Sequence, residues 1–127
     1  LFAADTSADN YFSIRTIANP NRFDDWIPKD AAHDDGNQLA ARPGAYKPNA
    51  WGLADMHGNV AEWTRSLYAP YPYRDDDGRN DPRAAGERVV RGGSWWTRPF
   101  QATSSFRTPY APYQPVMDTG FRIVVEE

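Results

Sequence analysis

The chain has no cysteine among its 127 residues. That excludes disulfides, thiolate metal sites and thiol nucleophiles. It has only two histidines, His33 and His57, far apart in sequence, which argues against a histidine-ligated zinc or iron centre. It has no excess of basic residues. The net charge is -3 and the sequence pI is about 5.3, so no nucleic-acid partner is expected. No apolar run approaches the roughly 18 residues of a membrane span, and mean hydropathy is -0.77. The N-terminal stretch Leu1-Phe2-Ala3-Ala4-Asp5 lacks the basic and apolar regions of a signal peptide. Repeats and heptads are also missing.

What is plentiful is aromatic and turn-forming residues: five Trp, seven Tyr, eleven Pro and nine Gly. Such a composition predicts one loop-rich domain held by aromatic packing rather than a helical bundle. Pro20, Pro28, Pro43 and Pro48 interrupt any long early helix. The cluster Ile14 to Ala18 permits a short helix beginning near Asp9 or Asn10. The stretch Asp30 to Gln38 places acids beside a Gly-Asn turn, where carboxylates can hold a hard cation.

The run from Asn49 to Thr64 admits two local readings. Asn59 followed by Glu62 has capping-box spacing for a short helix. Alternation of Val60, Glu62 and Thr64 against Ala61 and Trp63 reads as a strand. Local rules slightly favour the helix. Residues 69 to 87 read as a solvated surface loop. Arg88 to Trp96 reads as a strand entering a glycine turn. Thr119 to Val125 reads as a strand with Phe121, Ile123 and Val125 on one side.

Chemically, Asp55, Glu62 and the carbonyls near Gly58 and Val60 lie close enough to wrap one calcium ion. The alternative is that Glu62 caps a helix or pairs with an arginine. Ser94 lies in Gly-Gly-Ser-Trp, which is not a nucleophile elbow, and its hydroxyl is expected to bond a backbone group in a tight turn. Ser94, Trp95, Trp96, Arg98, Phe106 and Arg107 form a candidate surface for a peptide, a carbohydrate or an anion. They can equally be packing residues whose arginines pair with the acidic loop.

The string Lys47-Pro48-Asn49-Ala50-Trp51-Gly52-Leu53-Ala54-Asp55-Met56-His57-Gly58-Asn59-Val60-Ala61-Glu62-Trp63-Thr64 resembles the first signature of the formylglycine-generating enzyme (sulfatase-modifying factor) family. Arg88-Val89-Val90-Arg91-Gly92-Gly93-Ser94-Trp95 resembles the second, and Gly120-Phe121-Arg122-Ile123-Val124 the third. The motifs cover residues 43–125; residues 1–42 are a poorly matched lead-in. The resemblance implies an α+β, C-type-lectin-like fold with low regular secondary structure, short twisted strands and long loops. It implies a strand at Val60 to Thr64.

The resemblance also implies two calcium sites. The first would use Asp55, Gly58, Val60 and Glu62. The second, weaker, would use Asp35 and Asn37 with Asn10 or Asn19. Family members that generate formylglycine hold copper with two cysteines shortly after Gly-Gly-Ser. Those positions here are Thr97 and Ala102, so no copper and no catalytic residue is expected. Ala61 stands where a tryptophan is usual.

A family domain is about twice this length, so residues 1–127 read as its C-terminal half. The upstream half, or another chain, would then cover strand edges near Val89-Val90 and Ile123-Val124-Val125. The expected role is a non-catalytic, calcium-stabilised binding or structural module of bacterial origin, periplasmic or extracellular. The alternative is part of a sulfoxide-synthase-type oxidoreductase whose metal ligands lie outside this chain.

Overall fold

The computed structural model describes residues 35, 37 and 39–125. The short helix expected near Ile14 to Ala18, and Asn10 and Asn19, lie outside the described residues. Four strands form one mixed sheet: β1 (Ala61–Leu67), β2 (Arg88–Arg91), β3 (Thr108–Tyr110) and β4 (Thr119–Phe121). The spatial order is β3-β2-β1-β4. β1 pairs antiparallel with β2 and parallel with β4, while β3 pairs antiparallel with β2. A single 3-10 turn, Pro99–Ala102, separates β2 from β3. Among the described residues there is no α-helix, so the regular structure there is sheet alone.

β2 is the covered centre. Val89 and Val90 are adjacent in sequence and so point to opposite faces, yet both are buried. Each face of the sheet is therefore packed at this strand. This corrects the expectation that Val89 and Val90 lie on an open edge: β1 and β3 flank them. β3 is the edge on that side, and Pro109, which has no N–H to donate, is tolerated there.

The helix reading of residues 59 to 64 fails and the strand implied by the resemblance holds. The Asn59 side chain does not cap a helix. It grips the Ala41 backbone, accepting from its N–H at 2.9 Å and donating to its carbonyl at 3.4 Å. Glu62 reaches Arg122 rather than turning back to the Asn59 N–H.

The C-terminal strand is shorter than expected. It ends at Phe121, and Phe121, Ile123, Val124 and Val125 are 74 to 80% exposed rather than packed on one face.

The loop at 69–87 is more ordered than a solvated excursion. Arg79 is only 4% exposed. Its guanidinium pairs with Asp77 at 2.5 Å, donates to the Pro70 and Pro72 carbonyls, and lies 5.0 Å from the Tyr73 ring centre. Arg88 reaches the Arg65, Asp81, Pro82 and Ala84 carbonyls.

Candidate functional site

Two left-handed turns build the loop at 55–62. Asp55, Gly58 and Asn59 all have positive φ, at 57°, 81° and 61°. Asp and Asn tolerate this region better than most side chains. The Gly58 N–H donates to Gly92, and the Asn59 carbonyl accepts from Trp95, which locks the first motif onto the second.

Asp55 Oδ2 accepts from the Gly44 N–H at 2.5 Å. Its Oδ1 is buried and has no hydrogen-bond partner. A buried, unsatisfied carboxylate oxygen is costly unless a cation or donor meets it. That oxygen suits a calcium ligand. Both Glu62 oxygens face Arg122, which binds them at 2.7 to 3.2 Å and also donates to the Ala54 carbonyl at 2.8 Å. The Glu62 hydrogen bond is the first cause that raises the Arg122 pKa. A cation held here would share Glu62 with the guanidinium.

At the second predicted position, Asp35 Oδ1 accepts from the Asn37 N–H at 2.8 Å, and Oδ2 accepts from the Tyr46 hydroxyl. Burial first, and Asp35 second, raise the Tyr46 pKa well above its ordinary range. Among the described residues, no group of three or more His, Asp or Glu side chains gathers as a metal site.

The second motif turns at Gly92 and Gly93, with φ of 90° and 68°. A Cβ on Gly93 would lie 2.8 Å from Ala102 Cα, 2.9 Å from Ala102 Cβ and 2.9 Å from Thr97 Oγ1. Thr97 and Ala102, the two positions of the expected thiolates, therefore converge on one glycine. Neither side chain can bind copper(I) as a thiolate does.

Ser94 is completely buried, so it presents no surface to a ligand. Its hydroxyl donates to Asp118 Oδ2 and accepts from the Trp96 N–H at 3.1 Å, the latter as expected for a turn serine. His57 Nδ1 lies 2.5 Å from the Ala102 carbonyl and ties the first motif to the 3-10 turn.

The candidate ligand surface divides. Trp96 and Arg98 line a cavity of about 490 Å³ together with Thr97, Tyr110, Met117 and Asp118. Trp95 packs edge-on against Trp96 at 5.4 Å. Phe106 packs against Phe100 and lines an inner crevice. Arg107 turns away. It donates to the Ala69 carbonyl at 2.7 Å and stacks over Tyr71 and Tyr68 at 3.9 and 4.9 Å. Arg107 therefore packs on the tyrosines of the 68–71 segment and pairs with no acid of the loop among the described residues.

Sequence reasoning missed Tyr110, Met117 and Asp118. Asp118 stands immediately before the Thr-Gly-Phe-Arg run, which was the one available signal.

The sheet, the interlocked motif loops and the converged pair at Gly93 define a small sulfatase-modifying-factor-like unit. Residues 2–127 match the sulfatase-modifying factor enzyme 1-like domain, and the chain belongs to that family. The match runs through the lead-in whose motifs are weak.

The chain is 38% identical over 82 residues to the inactive C-alpha-formylglycine-generating enzyme 2 of Mus musculus, covering 60% of this chain and 22% of that protein. It is 36% identical over 98 residues to the hercynine oxygenase of Mycobacterium tuberculosis, covering 69% and 22%. Among solved structures, Treponema denticola variable protein 1 aligns with a TM-score of 0.57 and 33% identity, over 69% of this chain and 32% of that one. The chain thus spans about a fifth of the length of these two curated relatives.

Proposed function

We propose that this chain is a non-catalytic binding module with a C-type-lectin-like fold, forming the C-terminal half of a larger domain. The observation that carries the reading is the convergence of Thr97 and Ala102 at Gly93. The place where relatives need paired thiolates holds a hydroxyl and a methyl group. Oxidation of a substrate cysteine through thiolate-held copper has no ligands there. The similarity to an inactive formylglycine-generating enzyme agrees with this reading.

Asp55, Gly58, Val60 and Glu62 would hold a calcium ion, with Asp55 Oδ1 as the oxygen most in need of it. Calcium there would supply structural charge within the first motif, with Glu62 shared between the ion and Arg122. Asp35 and Asn37 stand as a second, weaker site. A periplasmic or extracellular setting suits sites of modest affinity, because calcium is abundant there. The upstream half of the domain is the expected partner, and a peptide or carbohydrate is the proposed ligand chemistry.

A second reading is favoured by the hercynine oxygenase match. In it the chain forms the C-terminal part of an oxidoreductase whose metal ligands lie elsewhere. A His-rich helical domain upstream of Leu1 in the parent protein would decide for it.

The test has two arms. The parent protein is incubated with copper and a Cys-x-Pro-x-Arg peptide, and formylglycine is measured by mass; none is expected, and turnover would overturn the non-catalytic reading. Melting curves are then taken with calcium and with chelator. A hundredfold excess over the dissociation constant should contribute about 2.7 kcal/mol, and Glu62→Gln should remove the difference. Identical curves would overturn the calcium site.

A further inference from the structure

We infer that the cavity beside the 3-10 turn holds a cationic amine head group against Asp118. This rests on the reading above only in taking the cavity as a binding site and not a reaction centre.

Asp118 is 8% exposed. Buried carboxylates are normally paired with a base or a metal. Among the described residues no basic side chain forms an ion pair with Asp118. Among those residues its only side-chain hydrogen bond comes from the neutral Ser94 hydroxyl, on Oδ2. The carboxylate lines both the 490 Å³ cavity and the inner crevice of about 40 Å³ behind it. A carboxylate thus lies at the junction of two chambers, and among the described residues its second oxygen has no hydrogen-bond partner.

The remaining walls suit a cation. Trp96 and Tyr110 both line the cavity, and aromatic faces attract ammonium groups most strongly where water is excluded. Tyr110 is held in place by Trp63, edge to ring at 6.2 Å. Burial, and then the Asp118 charge, raise the Tyr110 pKa, so the phenol stays neutral and adds no competing anion. Met117 supplies a soft, polarisable wall.

Arg98 also lines the cavity, but it is exposed, so solvent screens its repulsion. It forms no ion pair among the described residues. The other arginines of the region, Arg79, Arg88, Arg91, Arg107 and Arg122, are all committed to carbonyls or carboxylates. Arg98 is therefore placed to meet an anionic group a few bonds beyond the amine.

The experiment follows tryptophan fluorescence and amide shifts of the parent protein during titration. The probes are choline, its neutral isostere 3,3-dimethylbutan-1-ol, 4-trimethylammoniobutyrate and an Nα-acetyl-lysine amide. Choline or the lysine amide should bind at least about tenfold more tightly than the neutral alcohol. Preference between those two identifies a free amine or a peptide-borne lysine as the source. Asp118→Asn should erase the preference for charge, because its side-chain oxygen still accepts from Ser94 but carries no charge. Trp96→Leu should weaken all cations while sparing the fold. Arg98→Ala should remove any advantage of the butyrate over choline.

Binding of neither choline nor the lysine amide above the neutral alcohol, or cation binding unchanged in Asp118→Asn, would overturn the proposal. If Asp118→Asn does not fold, the ratio of the better-bound cation, choline or the lysine amide, to the alcohol on the unaltered protein decides alone. Formylglycine production in the earlier assay would sink the non-catalytic reading without touching this titration, so the two failures are distinguishable.

Discussion

The β1–β2 connection and the β4 flank lie on the same sheet and are stabilised in opposite ways. The connection, residues 68–87, is rich in Pro and Asp and nearly devoid of aliphatic side chains. It is fastened by arginines that collect loop carbonyls, and by Ser66 and Asn80, which bond side chain to side chain at 2.5 Å. Arg79 is almost wholly interior there. The β4 flank has the apolar residues a core needs, Phe121, Ile123, Val124 and Val125, yet leaves them exposed. Its one strong polar anchor is Arg122. The contrast teaches that hydrophobic composition does not locate the interior of this chain. Guanidinium groups, which can satisfy several carbonyls at once, organise what looks like surface. The apolar tail is interior only if something else covers it.

The sharpest way to break this picture is at the tight turn after β2, which lies between the two regions in sequence. Gly93→Ala should be the most damaging single change. Its Cβ would meet Ala102 Cα at 2.8 Å at a backbone φ of +68°. Strain and overpacking together predict a loss on the order of 3 kcal/mol. Thermal melting checks it, and an unchanged midpoint would show that the turn is not as tight as described.

A smaller effect tests the arginine-fastened side. The Arg79 hydrogen bond is the first cause that lowers the Asp77 pKa, from 3.8 to about 2. The sign follows directly. A depressed acid stabilises the fold fully above its unfolded value, near 4, and that contribution fades as pH falls through about 2. An NMR titration of the Asp77 carboxyl should give a midpoint near 2, with loop amides moving while β2 amides do not. A midpoint near 4 would dissolve the clamp.

The smallest effect belongs to the other side. Val124→Lys, at an exposed position beyond β4, should change the stability of residues 1–127 by no more than about 0.5 kcal/mol. The same change in the parent protein should cost more if the flank is covered there. Equal, negligible effects in both would leave the flank open in the parent as well.

Much of the site was legible because the motif loops are local. The glycine turn at Gly92 and Gly93 is legible in its own short string. The strand of Trp63 comes from the resemblance, since local rules slightly favour a helix. The positive φ of Asp55 and Asn59 is not foreseen from the sequence. What sequence did not disclose depends on distant pairing. Val89 and Val90 look like an open edge until β3, with its awkward Pro109, is known to lie beside them. Arg107 looks like a ligand residue until Tyr71 is seen beneath it. Asp118 looks like one acid among seventeen until the chain closes and carries it to Ser94. In each case what decides the residue's place is a neighbour distant in sequence.

The parallel pairing of β1 with β4 bears on how the molecule is made. Ala61 faces Thr119, and Glu62 faces Gly120, across a separation that includes every other described strand. During synthesis from the N-terminus, β1 emerges long before its parallel neighbour, and of the described strands β2 and then β3 can join the sheet in the interval. Contacts between residues so far apart in sequence carry a large loop-closure cost and slow folding. Arg122 reaches Ala54 and Glu62 only at that last step. The first motif therefore exists as a sequence early and as a finished loop last, and a nascent chain released before residue 122 would leave the Glu62 carboxylate without its guanidinium.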